Sequence, residues 1–257
     1  MSLSLKGKTI VVMGVANKRS IAWGIAKSLD EAGANLIFTY AGERFEKPVR
    51  DLVSTLNGQH ELILPCDITN DEEIKSCFET IKEHAGTIHG FAHCIAFAAK
   101  EDLQGDYMNT NRDNFLLAHN ISAYSLTAVA KEARPLMTEG GSIVTLTYLG
   151  GERILPNYNV MGVAKASLEA SVRYLAGDLG KDNIRVNSIS AGPIRTLSAK
   201  GINDFNSILK EIEEKAPLKR NTTPEEVGDT AAFLFSDYSR GMTGENLHVD
   251  SGYHITG

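Results

Sequence analysis

Along the 257-residue chain, short unbroken apolar runs alternate with longer segments whose apolar residues recur every three or four positions. The first kind reads as strands buried on both faces, the second as helices with one buried stripe. Thr9–Met13 (TIVVM) predicts a strand ending at Gly14. Residues 20–32 predict a helix with Ile21, Ile25, Leu29 and Ala32 on one stripe and Gly33 as its stop. Asn35–Tyr40 and residues 62–65 predict the next strands, with a helix over 46–56 between them. Residues 70–84 predict a helix capped by Asn70, with Glu73 three positions on completing a capping signature. A strand over 91–95, one long helix over 111–137 and a strand over 142–147 follow. From Val160 the chain is rich in good helix formers, and no proline intervenes between Pro156 and Pro193. A strand over 185–189, a short helix near 204–215, a helix over Pro224–Phe235 and a strand over Asn246–Val249 complete the pattern.

Strands alternating with helices imply right-handed crossovers and a parallel sheet. The expected fold is α/β: a single Rossmann-type doubly wound sheet of about seven strands with helices on both faces. No linker, repeat, charge block or low-complexity tract divides the chain, so residues 1–257 are expected to form one domain. Ligands of such sheets bind at the carboxyl ends of the strands, so chemistry is sought there.

Composition narrows the class. Apolar content of 42% and charged content of 23% are those of an ordinary globule. A net charge of −6 argues against a nucleic-acid partner. Cys66, Cys77 and Cys94 show no paired spacing and read as reduced thiols of a cytoplasmic protein. The opening MSLSLKGKTI has no hydrophobic signal core, and no run is long enough for membrane insertion. Extended backbone around the predicted strand sets His89 and His93 about 13 Å apart at ~3.3 Å per residue, so no metal site is expected.

Four candidate loops follow strands. Gly14-Val-Ala-Asn-Lys-Arg-Ser20-Ile21-Ala22 is not GxGxxG, but its small residues precede a helix whose free N–H groups suit a pyrophosphate. Asp67, before Ile68, offers an acceptor for an adenine amino group, or else an Asx turn. Cys94-Ile95-Ala96-Phe97-Ala98 is small and largely apolar, as a chain beneath a nicotinamide must be. Ala191-Gly192-Pro193-Ile194-Arg195-Thr196 is a Gly-Pro turn with a hydroxyl at its end. Each alone is more often structural; together they fall on one sheet edge.

The stretch TYLGGERILPNYNVMGVAKASLEASVRYLA carries Tyr148, Tyr158 and Lys165. If the helix is running by Tyr158, Lys165 lies two turns on and on the same face. Chance packing produces such a pair too. In a shared cleft, the amine favours the phenolate, and the phenol donates to an oxygen gaining negative charge.

Over essentially its whole length the sequence resembles the short-chain dehydrogenase/reductase superfamily and, within it, bacterial NADH-dependent enoyl-[acyl-carrier-protein] reductases. The superfamily usually has Tyr-x3-Lys, but the position four before Lys165 is Met161 and the tyrosine stands at Tyr158, giving Tyr-x6-Lys in NYNVMGVAKAS. Tyr148 in YLGGE, the Gly14–Ala22 pattern and AGPIRTLSAKGI add to the likeness. The resemblance implies NADH-dependent reduction of a trans-2-enoyl thioester on acyl carrier protein, in fatty-acid elongation, by a homotetramer. It assigns Lys165 to the nicotinamide ribose, Tyr158 to the thioester carbonyl and Tyr148 to a supporting role. It places Gly14, Ser20, Ile21, Ala41, Asp67, Ile68, Ile95, Lys165, Ile194, Thr196 and Ser198 against the dinucleotide. Ala98, Tyr148, Tyr158, Met161, Ala199, Ile202 and Phe205 fall to the acyl pocket, with a lid over residues 196–207.

Ala41 offers no side chain near the adenosine ribose. Glu43 disfavours a 2′-phosphate and Arg44 favours one, so cofactor choice leans to NADH over NADPH. Two other readings stay open: a ketoreductase of the same fold, against which Met161 argues, and a redox-sensing module that binds dinucleotide without turnover, against which Tyr158 and Lys165 argue.

Overall fold

The computed structural model describes residues 3–196 and 205–256. The strands are β1 (Thr9–Met13), β2 (Asn35–Tyr40), β3 (Ile63–Pro65), β4 (Gly90–His93), β5 (Gly141–Thr147), β6 (Ile184–Ala191) and β7 (Asn246–Val249). They form one seven-stranded sheet in the order β3-β2-β1-β4-β5-β6-β7, every pairing parallel. The order reverses between β1 and β4, the switch point at which open α/β sheets bind ligands.

Eight α-helices connect them among the described residues: α1 (Ile21–Glu31), α2 (Glu46–Val53), α3 (Asp71–Ala85), α4 (Arg112–His119), α5 (Ser125–Ala133), α6 (Asn159–Leu179), α7 (Phe205–Lys215) and α8 (Pro224–Phe235). Alternate residues of each strand supply opposite faces. Ile10, Val12 and Phe38 join a core with α1, α2 and α8, while Val11, Met13 and Ile37 join a second with α3, α5 and α6. This two-sided burial is why β1 reads as an unbroken apolar run. No described helix is long and apolar enough to cross a membrane.

Helix ends follow their local chemistry. Asn70 accepts from the Glu72 and Glu73 N–H groups, and the Glu73 carboxylate turns to the Asp67 N–H at 3.0 Å. Thr223 and Glu226 close a reciprocal capping box on α8.

Two elements differ from expectation. β4 ends at His93, so Cys94 and Ile95 lie beyond the sheet, in the loop that the reversal of strand order opens. His93, the last residue of the strand, is fully buried. The helix expected over 111–137 is interrupted by a wide π turn at Asn120–Tyr124 and ends in a 3-10 turn at Arg134–Leu136 around Pro135. The wide turn aims the Ser122 hydroxyl at the loop after β4. It donates to the Phe97 carbonyl and accepts from the Phe97 N–H, each at 3.0 Å.

Candidate active site

The carboxyl ends of β1, β4, β5 and β6 surround one cleft of about 600 Å³. Gly14 begins it. Its φ of +93° is costly for any other residue, and a Cβ there would stand 2.1 Å from the Cys94 carbonyl oxygen. The glycine lets the loops after β1 and β4 touch at the switch point. Ser20 then enters α1 in extended conformation, yet its side chain makes no capping bond; the hydroxyl donates to the Asn17 carbonyl at 2.7 Å instead. The first N–H groups of α1, at Ile21 and Ala22, therefore carry no side-chain cap, and both residues line the cleft. Uncapped donors at a helix start suit a pyrophosphate. The site fits a dinucleotide on that ground.

Lys165 is 5% exposed, and its ammonium donates to the Leu146 carbonyl at 2.8 Å. Burial pulls its pKa down to about 8, against the opposing influence of Cys94 and Glu169. Burial also pushes the nearby Cys94 thiol up to about 12. His93 lies beneath, its ring nitrogens 3.1 Å from the Thr145 hydroxyl and 2.8 Å from that of Ser125. Burial, then the Lys165 charge, lowers its pKa to about 3, so it stays neutral.

Tyr158 is the residue just before α6, already helical at φ −81°, ψ −27°. It stands between two left-handed asparagines, Asn157 at φ +64° and Asn159 at φ +39°. Asparagine is among the few side chains that tolerate this region. Asn159 also donates to the Gly105 carbonyl at 3.0 Å, tying the start of α6 to the loop above the cleft. The Tyr158 ring meets that of Tyr148 edge to face, centroids 5.0 Å apart. Burial raises both phenols above their ordinary range, with Tyr148 and Glu169 adding to the effect at Tyr158. The Lys165 ammonium donates to Leu146, and burial outweighs any pull toward the phenolate, so Tyr158 keeps its proton as a donor. Among the described residues neither phenol hydroxyl has a hydrogen-bond partner.

The turn after Tyr148 holds this ring in place. A Cβ on Gly150 would lie 2.2 Å from Tyr158 Cδ1. Gly150→Ala should therefore lower melting temperature and turnover together, at about 1–3 kcal/mol for overpacking. Gly177→Ala, near the far end of α6 with open space at its Cβ, is the control: it should leave turnover unchanged and should not lower melting temperature. Unaltered kinetics in Gly150→Ala would show that the ring has room to move.

Of the residues singled out in the sequence, Gly14, Ser20, Ile21, Ala41, Ile68, Ile95, Ile194 and Thr196 line the cleft, as do Ala98, Tyr148, Tyr158, Met161, Lys165 and Phe205. Asp67 does not. It is exposed, and its carboxylate accepts from the Thr69 N–H at 2.9 Å and hydroxyl at 2.7 Å, closing an Asx turn. Ser198, Ala199 and Ile202, and with them most of the expected lid, lie outside the described residues. Arg44, Phe45 and Leu103 line the cleft as well, with the Arg44 guanidinium 4.7 Å above the Phe45 ring. Sequence reading missed Ser122, the two asparagines and Glu169, a buried acid one helical turn beyond Lys165. In that last case the spacing was a signal. No three His, Cys, Asp or Glu side chains among the described residues are placed to hold a metal ion.

The family model for enoyl-(acyl carrier protein) reductase matches residues 14–254, from the cleft glycine to past the last strand. The chain belongs to this family. Among its enoyl-[acyl-carrier-protein] reductase relatives is the NADH enzyme FabI of Bacillus subtilis strain 168, 78% identical over 256 residues, spanning 100% of this chain and 99% of that one. A FabI named for NADPH, from Staphylococcus aureus MRSA252, is 62% identical over 98% of both chains. The crystal structure of the Bacillus cereus enoyl-acyl carrier protein reductase, with NADP+ and an indole naphthyridinone, superposes with a TM-score of 0.98 at 74% identity over 100% of both chains.

Proposed function

We propose that this reductase converts trans-2-enoyl-[acyl-carrier-protein] thioesters to saturated acyl thioesters in fatty-acid elongation, with NADH as the reductant. The observation that carries the reading is the displaced pair: Tyr158, not residue 161, stands over the cleft with Lys165, and Met161 fills the usual tyrosine position as part of an apolar wall. Bound NADH supplies a hydride to C3 of the enoyl group. The start of α1 holds the pyrophosphate, Lys165 the nicotinamide ribose, and Cys66 and Ile68 the wall beside the adenine. Tyr158 donates to the thioester carbonyl oxygen, where negative charge grows as an enolate, and a proton taken up at C2 completes the saturated product. In a ketone the attacked carbon bears the oxygen; in an enoyl thioester the oxygen lies two bonds further on, which accounts for a donor shifted along the chain. Ala98, Met161 and Phe205 exclude water from the acyl chain.

Loss of absorbance at the reduced-nicotinamide band should accompany crotonyl thioester and not acetoacetyl thioester. Faster turnover of the keto substrate would make the protein a ketoreductase, and binding without turnover of either would make it a dinucleotide sensor.

NADH should give the lower KM, since Ala41 contributes no donor to a 2′-phosphate. Arg44, three residues beyond Ala41, lines the cleft and can meet one, so Arg44→Ala should weaken NADPH more than NADH. A KM lower for NADPH in the unaltered enzyme would reverse the preference. The assembly we propose is a homotetramer of the cytoplasm. Leu116, Leu117, Tyr124 and Tyr174, exposed on neighbouring helical segments, are consistent with covered surface. Sedimentation analysis giving a monomer would exclude it.

A further inference from the structure

Glu169 lies four residues after Lys165 in KASLEA, so the two project from one face of α6. It is 8% exposed. A carboxylate that deep is rare without a partner of opposite charge. Its hydrogen bond comes from the Thr147 hydroxyl, 2.6 Å from Oε1. Thr147 is the last residue of β5, between Leu146, whose carbonyl receives the Lys165 ammonium, and Tyr148, whose ring packs on Tyr158. Gly151 closes over the same carboxyl, where a Cβ would approach Oε1 to 2.5 Å.

The charged groups facing Glu169 are Lys165 and Arg173 from α6 and Glu152 from the turn after β5. Arg173 is exposed, and Glu152 is engaged with Asn246 at 2.7 Å and His248 at 2.9 Å. Lys165 is thus the buried cation of the set. It faces Cys94 from the loop after β4 and His93 from β4 itself, both of which burial keeps uncharged.

We propose that Glu169 is a positioning residue of the dinucleotide site, the countercharge that keeps Lys165 an ammonium and, through Thr147, the clamp that fixes the end of β5. Its relevance to catalysis rests on the reading that Lys165 holds the cofactor. Burial drives Lys165 toward the neutral amine and Glu169 toward the neutral acid, and each opposes that drift in the other. The two are anchored on neighbouring residues of β5, the ammonium on Leu146 and the carboxyl on Thr147, and act on each other across that gap.

The test is NMR titration of the nucleotide-free protein labelled at lysine Cε, with the Lys165 resonance assigned by its absence in Lys165→Met. Glu169→Gln keeps an acceptor for Thr147 but removes the charge, so the Lys165 midpoint should fall by about one pH unit. Glu169→Asp, which keeps the charge, should hold the midpoint closer to its original value. The alkaline limit of NADH binding should move with the midpoint. An unchanged midpoint in Glu169→Gln, whatever its melting temperature, would reduce Glu169 to a structural residue. The reciprocal measurement needs no substitution at 169: in Lys165→Met the Glu169 carboxyl should titrate at higher pH, and an unmoved value overturns the proposal. Neither titration uses substrate or nucleotide. Failure to reduce crotonyl thioester would refute the functional reading without touching this one.

Discussion

Tyr158→Phe should lower kcat/KM for an enoyl thioester by about 10- to 150-fold while leaving NADH affinity nearly unaltered. The magnitude is that of one hydrogen bond to a charged acceptor, ~1.5–3 kcal/mol. The division follows from the geometry. The phenol keeps its proton because burial disfavours the phenolate, and its hydroxyl has no partner among the described residues. Loss of that hydroxyl therefore leaves no orphaned protein group. The ring itself, packed with Leu103, Met161 and Ala164 and edge-on to Tyr148, is retained in phenylalanine. Equal losses in turnover and in NADH affinity, read by calorimetry beside kinetics, would mean that Tyr158 serves the cofactor. Tyr148 is close enough to take over part of the role, so Tyr148→Phe combined with Tyr158→Phe should lose more than either alone.

How much of this was legible beforehand depended on whether the determining contact was local. β1 was plain because burial on both faces leaves no polar position after Thr9 in TIVVM. The cap of α3 was plain because Asn70 and Glu73 act within one turn. The wide turn at Asn120–Tyr124 left no such mark: NISAY suits an ordinary helix, and the bonds between Ser122 and Phe97 that go with the turn join residues distant in sequence. Asp67 shows the opposite case. Its Asx turn was one of two readings, and the hydroxyl and N–H two residues on, at Thr69, form it through Oδ1. The Tyr158–Lys165 spacing correctly predicts that both reach one cleft. The direction of the Lys165 ammonium, toward a β5 carbonyl rather than the phenol, depends on how α6 lies on the sheet, which periodicity does not specify. The asparagines on either side of Tyr158 were a readable sign of left-handed backbone, and so of a ring set by its flanking residues.

Lys165→Ala should weaken NADH binding by on the order of a hundredfold or more, from ~1.5–3 kcal/mol for each charge-assisted bond removed. In the unaltered protein the same residue should give binding and stability opposite pH dependences. The ammonium is the form that holds the ribose hydroxyls by donation, and its pKa in the fold is about 8, below the ordinary 10.5. NADH affinity should accordingly fall as pH rises through about 8. Stability of the nucleotide-free protein runs the other way. Because the folded pKa is depressed, the unfolded chain binds more protons at this site between the two values, and ∂ΔG/∂pH is positive there. The contribution of Lys165 to unfolding free energy should climb from about pH 8 toward about pH 10.5. Denaturant titrations of the wild type and Lys165→Met isolate it as the difference between their pH profiles. Parallel profiles, with NADH affinity flat across about pH 7 to about pH 9.5, would mean that Lys165 retains an ordinary pKa and that burial does not govern the site. A falling affinity beside a rising difference in stability is expected only when one buried amine controls both.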